Sequence, residues 1–585
     1  MEDTIHRTVL MKNFIDFRPR ILDSLSGYNI KLFGQDSMAG IIVALVAALP
    51  LALAFAIASG ASPEVGLISA IVGGFIIAVL SGCRVQIGGP TGSFIVIAYA
   101  LLQTYGIQGV ILATVMAGII LMAMGVFKLG SLIRYIPYPV VVGFTSGMAV
   151  IIFSTQVNEL LGLGLTGIPA DFLEKWQMYI EHIHQIDWAT CAIGLATIAI
   201  IQVFPYITKA VPGSLVALIL ITIATYVLRT YAGVDTIATI GDRFTISSAL
   251  PSLHLPQPNF LMVSHLMEPA FSIALLAAIE SLLTARIVDG MIKDKHSPNT
   301  ELIALGIANM VVPFLGGLPV TGATARTMTN INNGGRTPIA GVVHAVILLL
   351  SFLCLMPLVS YIPMAALGGV LVIVSINMSG WRTILHMLRG PRAGWIVLIV
   401  TLFLTIFSSL TFALESGILL SMLFIFKRII DSTKMSVSSD RLQMSSSSDD
   451  VVHTDTELLE LPDEVEVYEI EGPFFFGTAA GFEEHMEKAL RREPKNEARV
   501  CILRMRFVPF MDSTAVYNLS ELYQNLNKRK TRLILSGVNP NVKETLEKSG
   551  LEELIGSEYV CADIHRALMV ANKYIADYNT RDENR

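Results

Sequence analysis

Pro90-Thr-Gly-Ser-Phe-Ile-Val96 and Pro319-Val-Thr-Gly-Ala-Thr-Ala-Arg326 are the two stretches that decide how this chain folds. Each follows a Gly-rich approach, Val85-Gln-Ile-Gly-Gly89 in the first case and Phe314-Leu-Gly-Gly-Leu318 in the second. Each then opens an apolar, helix-prone run. Proline with small residues just ahead of such a run marks a helix N-terminus. A helix start has N–H groups without partners and a partial positive charge, so it attracts anions. Two such starts at mid-membrane would build an anion site between them.

The surrounding composition supports a membrane setting. The chain has 585 residues, 53% hydrophobic and only 15% charged, with a mean hydropathy of +0.62. A soluble protein carries more charge. The apolar residues fall in long runs from about Met38 to Ile430, as in a multi-span membrane protein. The net charge of −6 says little about partners, and nothing in the sequence points to nucleic acid. Cys83, Cys191, Cys354, Cys501 and Cys561 have neither metal-type spacing nor a disulfide framework. The polar N-terminal stretch lacks the basic-apolar-small pattern of a cleavable signal peptide.

Residues 1–37 read as a cytoplasmic lead-in, and 38–430 as a transmembrane transport domain. Apolar segments lie near 38–58, 63–81, 90–104, 107–127, 137–155, 187–204 and 212–230. After a polar stretch, a second set lies near 266–288, 301–315, 321–333, 337–357, 362–378, 393–410 and 412–430. That predicts about fourteen spans. Those opening near 90 and 321 are short for a full crossing of about 20 residues, and paired short segments broken by Gly and Pro mark a transporter's binding site. With the N-terminus inside, every connection after an even-numbered span is basic: Arg84, Lys128 with Arg134, Lys209, Lys293 with Lys295, Arg336, and Arg382 with Arg389 and Arg392. Lys427 and Arg428 follow the last span, whereas the outer loop after the fifth is acidic, from Glu159 to Asp187. This positive-inside pattern puts both termini in the cytoplasm.

The two sets repeat. Ala44–Leu53 aligns without gaps to Ala274–Leu283 at an offset of 230 (274 minus 44). Pro90 aligns to Pro319 at 229, and Tyr135-Ile-Pro137 to Tyr361-Ile-Pro363 at 226. Seven spans per copy is an odd number, so the copies run in opposite senses. A 7+7 inverted repeat is an architecture of secondary transporters.

Beyond Ile430 the character changes. Residues 431–450 are rich in Ser and Asp, a linker by composition. Residues 451–585 read as a small cytoplasmic α/β domain. Its strands are expected at Val465–Ile470, Val500–Met505 and Arg532–Ser536, with helices near 480–491, 513–528, 540–549 and 562–577.

Several motifs resemble those of the sulfate permease (SulP) anion transporters. They are Ala48-Leu-Pro-Leu-Ala-Leu-Ala-Phe55, Gly89-Pro-Thr-Gly-Ser-Phe94, Glu280-Ser-Leu-Leu-Thr284 with Asp289-Gly-Met291, and Gly316-Gly-Leu-Pro319 through Arg326-Thr-Met-Thr-Asn330. Phe507-Val-Pro-Phe-Met-Asp-Ser-Thr-Ala515 is similar to the core motif of STAS domains. The resemblance covers nearly the whole chain. It implies a core of spans 1–4 and 8–11 moving against a gate of spans 5–7 and 12–14, a homodimer and an elevator-like mechanism.

Glu280 is the sharpest single residue. A carboxylate midway along an apolar span costs at least about 2.5–3.5 kcal/mol and marks a functional site unless helix ends or Arg286 satisfy it. It reads as a cation-coupling group, either protonatable or a ligand to Na⁺, with Thr284 one turn on and on the same face. In Na⁺-coupled members of the family the matching acid and Thr join backbone groups that correspond here to Gly322, Ala323 and Thr324. Some of those members carry Asp, so Glu here favours proton coupling. Gly92 and Ser93 open the first half-helix, Ala323 and Thr324 the second. Small residues there let an anion approach the N–H groups, and equally permit close helix packing. Phe55 either walls that site or packs. Arg326 either attracts anions or snorkels to the inner face. In the tail, Thr514 matches the hydroxyl phosphorylated in anti-sigma-factor antagonists, while Asp512 or Ser513 would cap the helix it begins.

The reading is a secondary anion transporter of the bacterial inner membrane, without cofactor or bound metal, in contact with lipid and with a possible cytoplasmic partner for the STAS domain. The substrate would be a dicarboxylate, sulfate or bicarbonate, moved with H⁺ or alternatively Na⁺. Two readings from other classes are an uncoupled anion channel and a membrane-anchored STAS regulator. Glu280 speaks against the first, the paired half-helices against the second. No Walker loop, nucleophile elbow or zinc spacing points to an enzyme.

Overall fold

The computed structural model describes residues 17–131, 135–207, 213–246, 253, 260–438, 441–443, 458–462, 464–478, 481–482 and 499–583. Arg134, Lys209, most of the helix expected near 480–491, and residues 444–450 of the expected linker lie outside the described residues. The chain forms two units, Met1–Ser421 and Met422–Arg585.

In chain order the long helices are α1 (Ile30–Ala58), α2 (Pro63–Leu80), α3 (Gly92–Val126), α4 (Tyr138–Leu161), α5 (Trp188–Ile207), α6 (Gly213–Ala232), α7 (Leu261–Ile292) and α8 (Pro298–Leu315). Next come α9 (Thr324–Asn332), α10 (Ile339–Val359), α11 (Met364–Leu388), α12 (Arg392–Phe407) and α13 (Leu410–Ser432). Eleven helices among the described residues are long and apolar enough to cross a membrane, rather than fourteen. The difference has three sources. The segments expected at 90–104 and 107–127 are two helices that meet at Gly106, whose φ of 64° and ψ of −166° are not helical, and α3 covers both. α9 has nine residues, and α12 has sixteen. Pro137 and Pro363 stand at the entries of α4 and α11 with φ of −66° and −72°, the angle that the pyrrolidine ring fixes.

The helices of the first unit pack in two groups. α3 lies against α7 and α8, and α10 against α1 and α2; α4 lies against α11 and α12, and α5 against α6 and α11. Glycines allow the closest approach: a Cβ on Gly118 of α3 would stand 2.7 Å from the Gly306 carbonyl oxygen of α8. Small residues do this work in membranes, where hydrophobicity does not drive helices together.

The two Gly-rich approaches meet. β1 (Gly88–Gly89) pairs antiparallel with β2 (Thr321–Gly322), Gly88 opposite Gly322 and Gly89 opposite Thr321. α3 starts three residues after its strand and α9 two residues after its own, so the ribbon joins their N-termini. Thr91 and Ala323 are the residues that precede the two helices, 232 apart (323 minus 91). The prolines are only 229 apart because Pro90 follows its strand and Pro319 precedes its own. The two are therefore not structural equivalents, although the helix starts are.

The second unit is an α/β domain. Its sheet runs β3 (Lys434–Ser438), β4 (Val465–Glu471), β5 (Val500–Phe507), β6 (Arg532–Ser536) and β7 (Val560–Cys561), the first pair antiparallel and the rest parallel. β3 lies inside the stretch that composition marks as linker. The helices are α14 (Ser513–Lys528), α15 (Pro540–Lys548), α16 (Leu551–Ile555) and α17 (Ile564–Glu583). Alternate residues of β5 bury on opposite faces: Cys501 and Leu503 pack with Leu519 and Leu546, Val500 and Ile502 with Ala567 and Ala571. A strand covered on both faces reads as a continuous apolar run, as Val500–Leu503 does.

Candidate anion-binding site

A cavity of about 420 Å³ lies where α3 and α9 start. Phe55, Gly92, Ser93, Ala323, Thr324 and Glu280 all line it. Their placement follows from local sequence: the ribbon of small residues ends, Thr91 and Ala323 hold extended backbone, and the next residue turns helical. The first N–H groups of each helix lack partners within it. One detail limits the second start. The Ala323 N–H donates to the Ile87 carbonyl at 2.9 Å, so Ala323 contributes only its small side chain and the open N–H groups begin at Thr324.

The side chains of α9 also satisfy the backbone of the β1 approach. Thr327 Oγ1 accepts from the Ile87 N–H at 3.1 Å, and Asn330 Nδ2 donates to the Val85 carbonyl at 2.9 Å. Asn330 thus secures the first approach, while Asn333 closes the helix through the Thr329 carbonyl.

Glu280 comes from α7 and points to the first helix start. Thr91 Oγ1 donates to Glu280 Oε2 at 3.0 Å, and Ser93 lines the cavity beside them. Thr284, one turn on, is fully buried; its hydroxyl pairs with that of Thr324 at 2.5 Å. Gly322 does not line the cavity. A Cβ there would lie 1.5 Å from Gln86 Nε2, so glycine is needed for the ribbon to close. No group of three His, Cys, Asp or Glu side chains among the described residues is placed to hold a metal ion.

Arg326 does not snorkel. Its side chain is 1% exposed, and Nη2 donates to the Pro90 carbonyl at 3.0 Å. A cation from the second half is therefore bonded to the backbone of the first. Gly89 makes room for it, since a Cβ there would lie 2.0 Å from Arg326 Nη1.

Two further carboxylates in the spans have a different role. Asp36 accepts from the Arg336 and Thr337 N–H groups at 2.8 and 3.2 Å, and from Thr337 Oγ1 at 2.6 Å. Glu301 accepts from the Gly82 N–H at 3.0 Å, from Ser281 Oγ at 2.8 Å and from Ser81 Oγ. Both are fully buried and engaged; Glu280 is half-buried at the cavity wall. Sequence reading missed Glu301 and also the cavity residues Thr91, Thr145 and Asn377. Asn377 carried a usable signal, a lone amide late in an apolar span.

In the tail, Asp512 caps α14: Oδ1 accepts from the Ala515 N–H at 2.9 Å and Oδ2 from the Phe476 N–H at 3.0 Å. Thr514 is exposed in the first turn of that helix.

Comparison with known proteins agrees with this geometry. The model of the sulfate permease family matches residues 33–401, and the STAS domain model matches 458–567. The "Putative sulfate transporter YvdB" of Bacillus subtilis (strain 168) is 34% identical over 541 residues, 92% of this chain and 98% of that protein. The bicarbonate transporter BicA of Picosynechococcus sp. is 28% identical over 525 residues, 87% of this chain and 89% of that protein. The solved structure of the murine Slc26a9 anion transporter in its inward-facing state superposes with a TM-score of 0.83. That pair shares 18% identity and covers 97% and 95% of the two chains, which establishes a shared fold. The paired helix starts thus sit in a multi-pass membrane protein with a STAS tail, and the chain belongs to the sulfate permease family of anion transporters.

Proposed function

We propose that this protein is a secondary active transporter that moves a small oxyanion together with a proton across the bacterial plasma membrane. The carrying observation is the cavity where two helix starts meet with Glu280 on its wall. The starts and Arg326 supply positive potential for the anion. Glu280 supplies a carboxylate that exchanges a proton without loss of its Thr91 partner. The names of the relatives favour sulfate or bicarbonate over a dicarboxylate.

An elevator-like motion fits the packing. α3, α7 and α9 of one helix group carry the anion-facing residues. Phe144 and Thr145 of α4, with Asn377 and Met378 of α11, wall the cavity from the other group. Sliding one group past the other would carry the site across. Charge placement supports cytoplasmic termini. The protein acts as a homodimer, and the STAS domain takes a cytoplasmic partner, with Thr514 the site of its phosphorylation.

The second reading is Na⁺ symport, with Glu280, Thr284 and Thr324 as oxygen ligands. The Thr284–Thr324 pair favours it; the turn of Glu280 towards Thr91 favours the proton. Uptake of labelled sulfate and bicarbonate into proteoliposomes decides. Accumulation driven by an inward pH gradient without Na⁺ supports symport with protons. A strict Na⁺ requirement establishes the second reading, and flux that dissipates with no coupling establishes a channel.

A further inference from the structure

Beside the anion cavity, two buried side chains carry polar atoms that the function proposed above does not use. His344, on α10, is fully buried, and neither Nδ1 nor Nε2 has a partner among the described residues. Arg326 is in a similar position: Nη2 reaches the Pro90 carbonyl, but Nη1 has no partner. The two side chains are linked through β1: His344 lies across Gly74 from the Gly88 carbonyl, and Arg326 lies against Gly89. A neutral imidazole offers one donor and one acceptor, and a guanidinium offers only donors. Leaving all of these unmade in the interior is costly.

Two glycines shape the space between them. A Cβ on Gly89 would strike Arg326 Nη1 at 2.0 Å. A Cβ on Gly74 of α2 would stand 3.2 Å from the Gly88 carbonyl oxygen and 3.4 and 3.5 Å from Cε1 and Nδ1 of His344. The absent methyl at Gly74 leaves a polar nook walled by the imidazole and the Gly88 carbonyl. The next residue of the same strand, Gly89, abuts the guanidinium.

We infer that this nook binds a water molecule that accepts from Arg326 Nη1 and donates to a His344 ring nitrogen and to the Gly88 carbonyl oxygen. Three polar partners are what a buried water requires. His344 is then a positioning residue. It touches no anion, but through the water it holds the guanidinium against the Pro90 carbonyl, at the start of α3. This rests on the anion site proposed above.

The test is substrate-concentration kinetics of labelled sulfate and bicarbonate in proteoliposomes for His344→Leu, His344→Gln and Gly74→Ala, with Ala323→Trp alongside. His344→Leu and Gly74→Ala should raise KM about tenfold while the maximal rate holds, the scale of one hydrogen bond to a charged group. His344→Gln should stay within about twofold of wild type, because its amide both donates and accepts. A wild-type KM in His344→Leu overturns the inference, and so does a His344→Gln variant that falls as far as His344→Leu. If His344→Leu does not assemble, Gly74→Ala decides: a raised KM supports the water and an unchanged one overturns it. Normal uptake by Ala323→Trp would refute the anion site itself. Lost uptake there with an unshifted His344→Leu would refute only the water.

Discussion

The two helix starts share a geometry and differ in chemistry. Each follows a two-residue strand of the same ribbon, and each opens on the same cavity. The first start is lined with hydroxyls, Thr91 and Ser93, and receives a carboxylate from α7. The second start carries the cation Arg326, which crosses back to the Pro90 carbonyl. The repeat thus supplies one framework twice, and the residues that break the repeat supply a carboxylate on one side and a guanidinium on the other. In the function proposed above, an anion between them would meet two favourable dipoles and a cation, with the Glu280 carboxylate at its edge.

The largest expected effect comes from filling the shared space. Ala323→Trp should abolish substrate binding and uptake while the protein still assembles, as checked by size-exclusion chromatography and labelled-anion binding; normal uptake would remove the site from between the two starts. Next is the bond that crosses the ribbon. Gly89→Ala puts a methyl where the guanidinium lies, and overpacking of that kind costs about 1–3 kcal/mol. Its thermal unfolding midpoint and its anion affinity should both fall, and an unchanged affinity would make Arg326 a structural residue only.

A smaller effect is expected at the first start. Thr91→Val removes a hydrogen bond to Glu280, worth about 1.5–3 kcal/mol if the carboxylate is charged. The variant should bind anions but show a displaced pH profile of uptake, and an unmoved profile would show that Thr91 does not tune Glu280. The smallest effect on the site belongs to the tail. Removal from Lys434 onward, the cut that β3 dictates, should lower transport or assembly without altering the ranking of competing anions. An altered ranking would mean that the tail helps to build the site.

Much of this arrangement was legible in the sequence, and what escaped reading shares one cause. The spans were visible as long apolar runs, and the helix starts as Pro and Gly before such runs. The tail strand Val500–Leu503 was visible because burial on both faces leaves an unbroken apolar stretch. The links between halves were not visible. Arg326 reads locally as a charge near a helix end, and only the ribbon puts it under Pro90. Glu280 and Thr284 share a helix face, yet tertiary contacts send one to Thr91 and the other to Thr324. Pro90 and Pro319 aligned as equivalents because the sequence records their spacing from the glycines, not which side of the strand each occupies. The eleven crossing-length helices are fewer than the fourteen expected spans because two of those spans join at Gly106 and two others are short helices, and apolar runs mark a segment without fixing its helical length.

The central claim is that Glu280 is the proton-coupling group of a site built by both starts. Glu280→Gln keeps the shape and fixes the neutral state, so one variant measured in two modes tests it. In proteoliposomes the variant should retain sulfate or bicarbonate exchange at near wild-type affinity and show no acceleration by an inward pH gradient. Accumulation of the anion by Glu280→Gln in response to that gradient would contradict the claim.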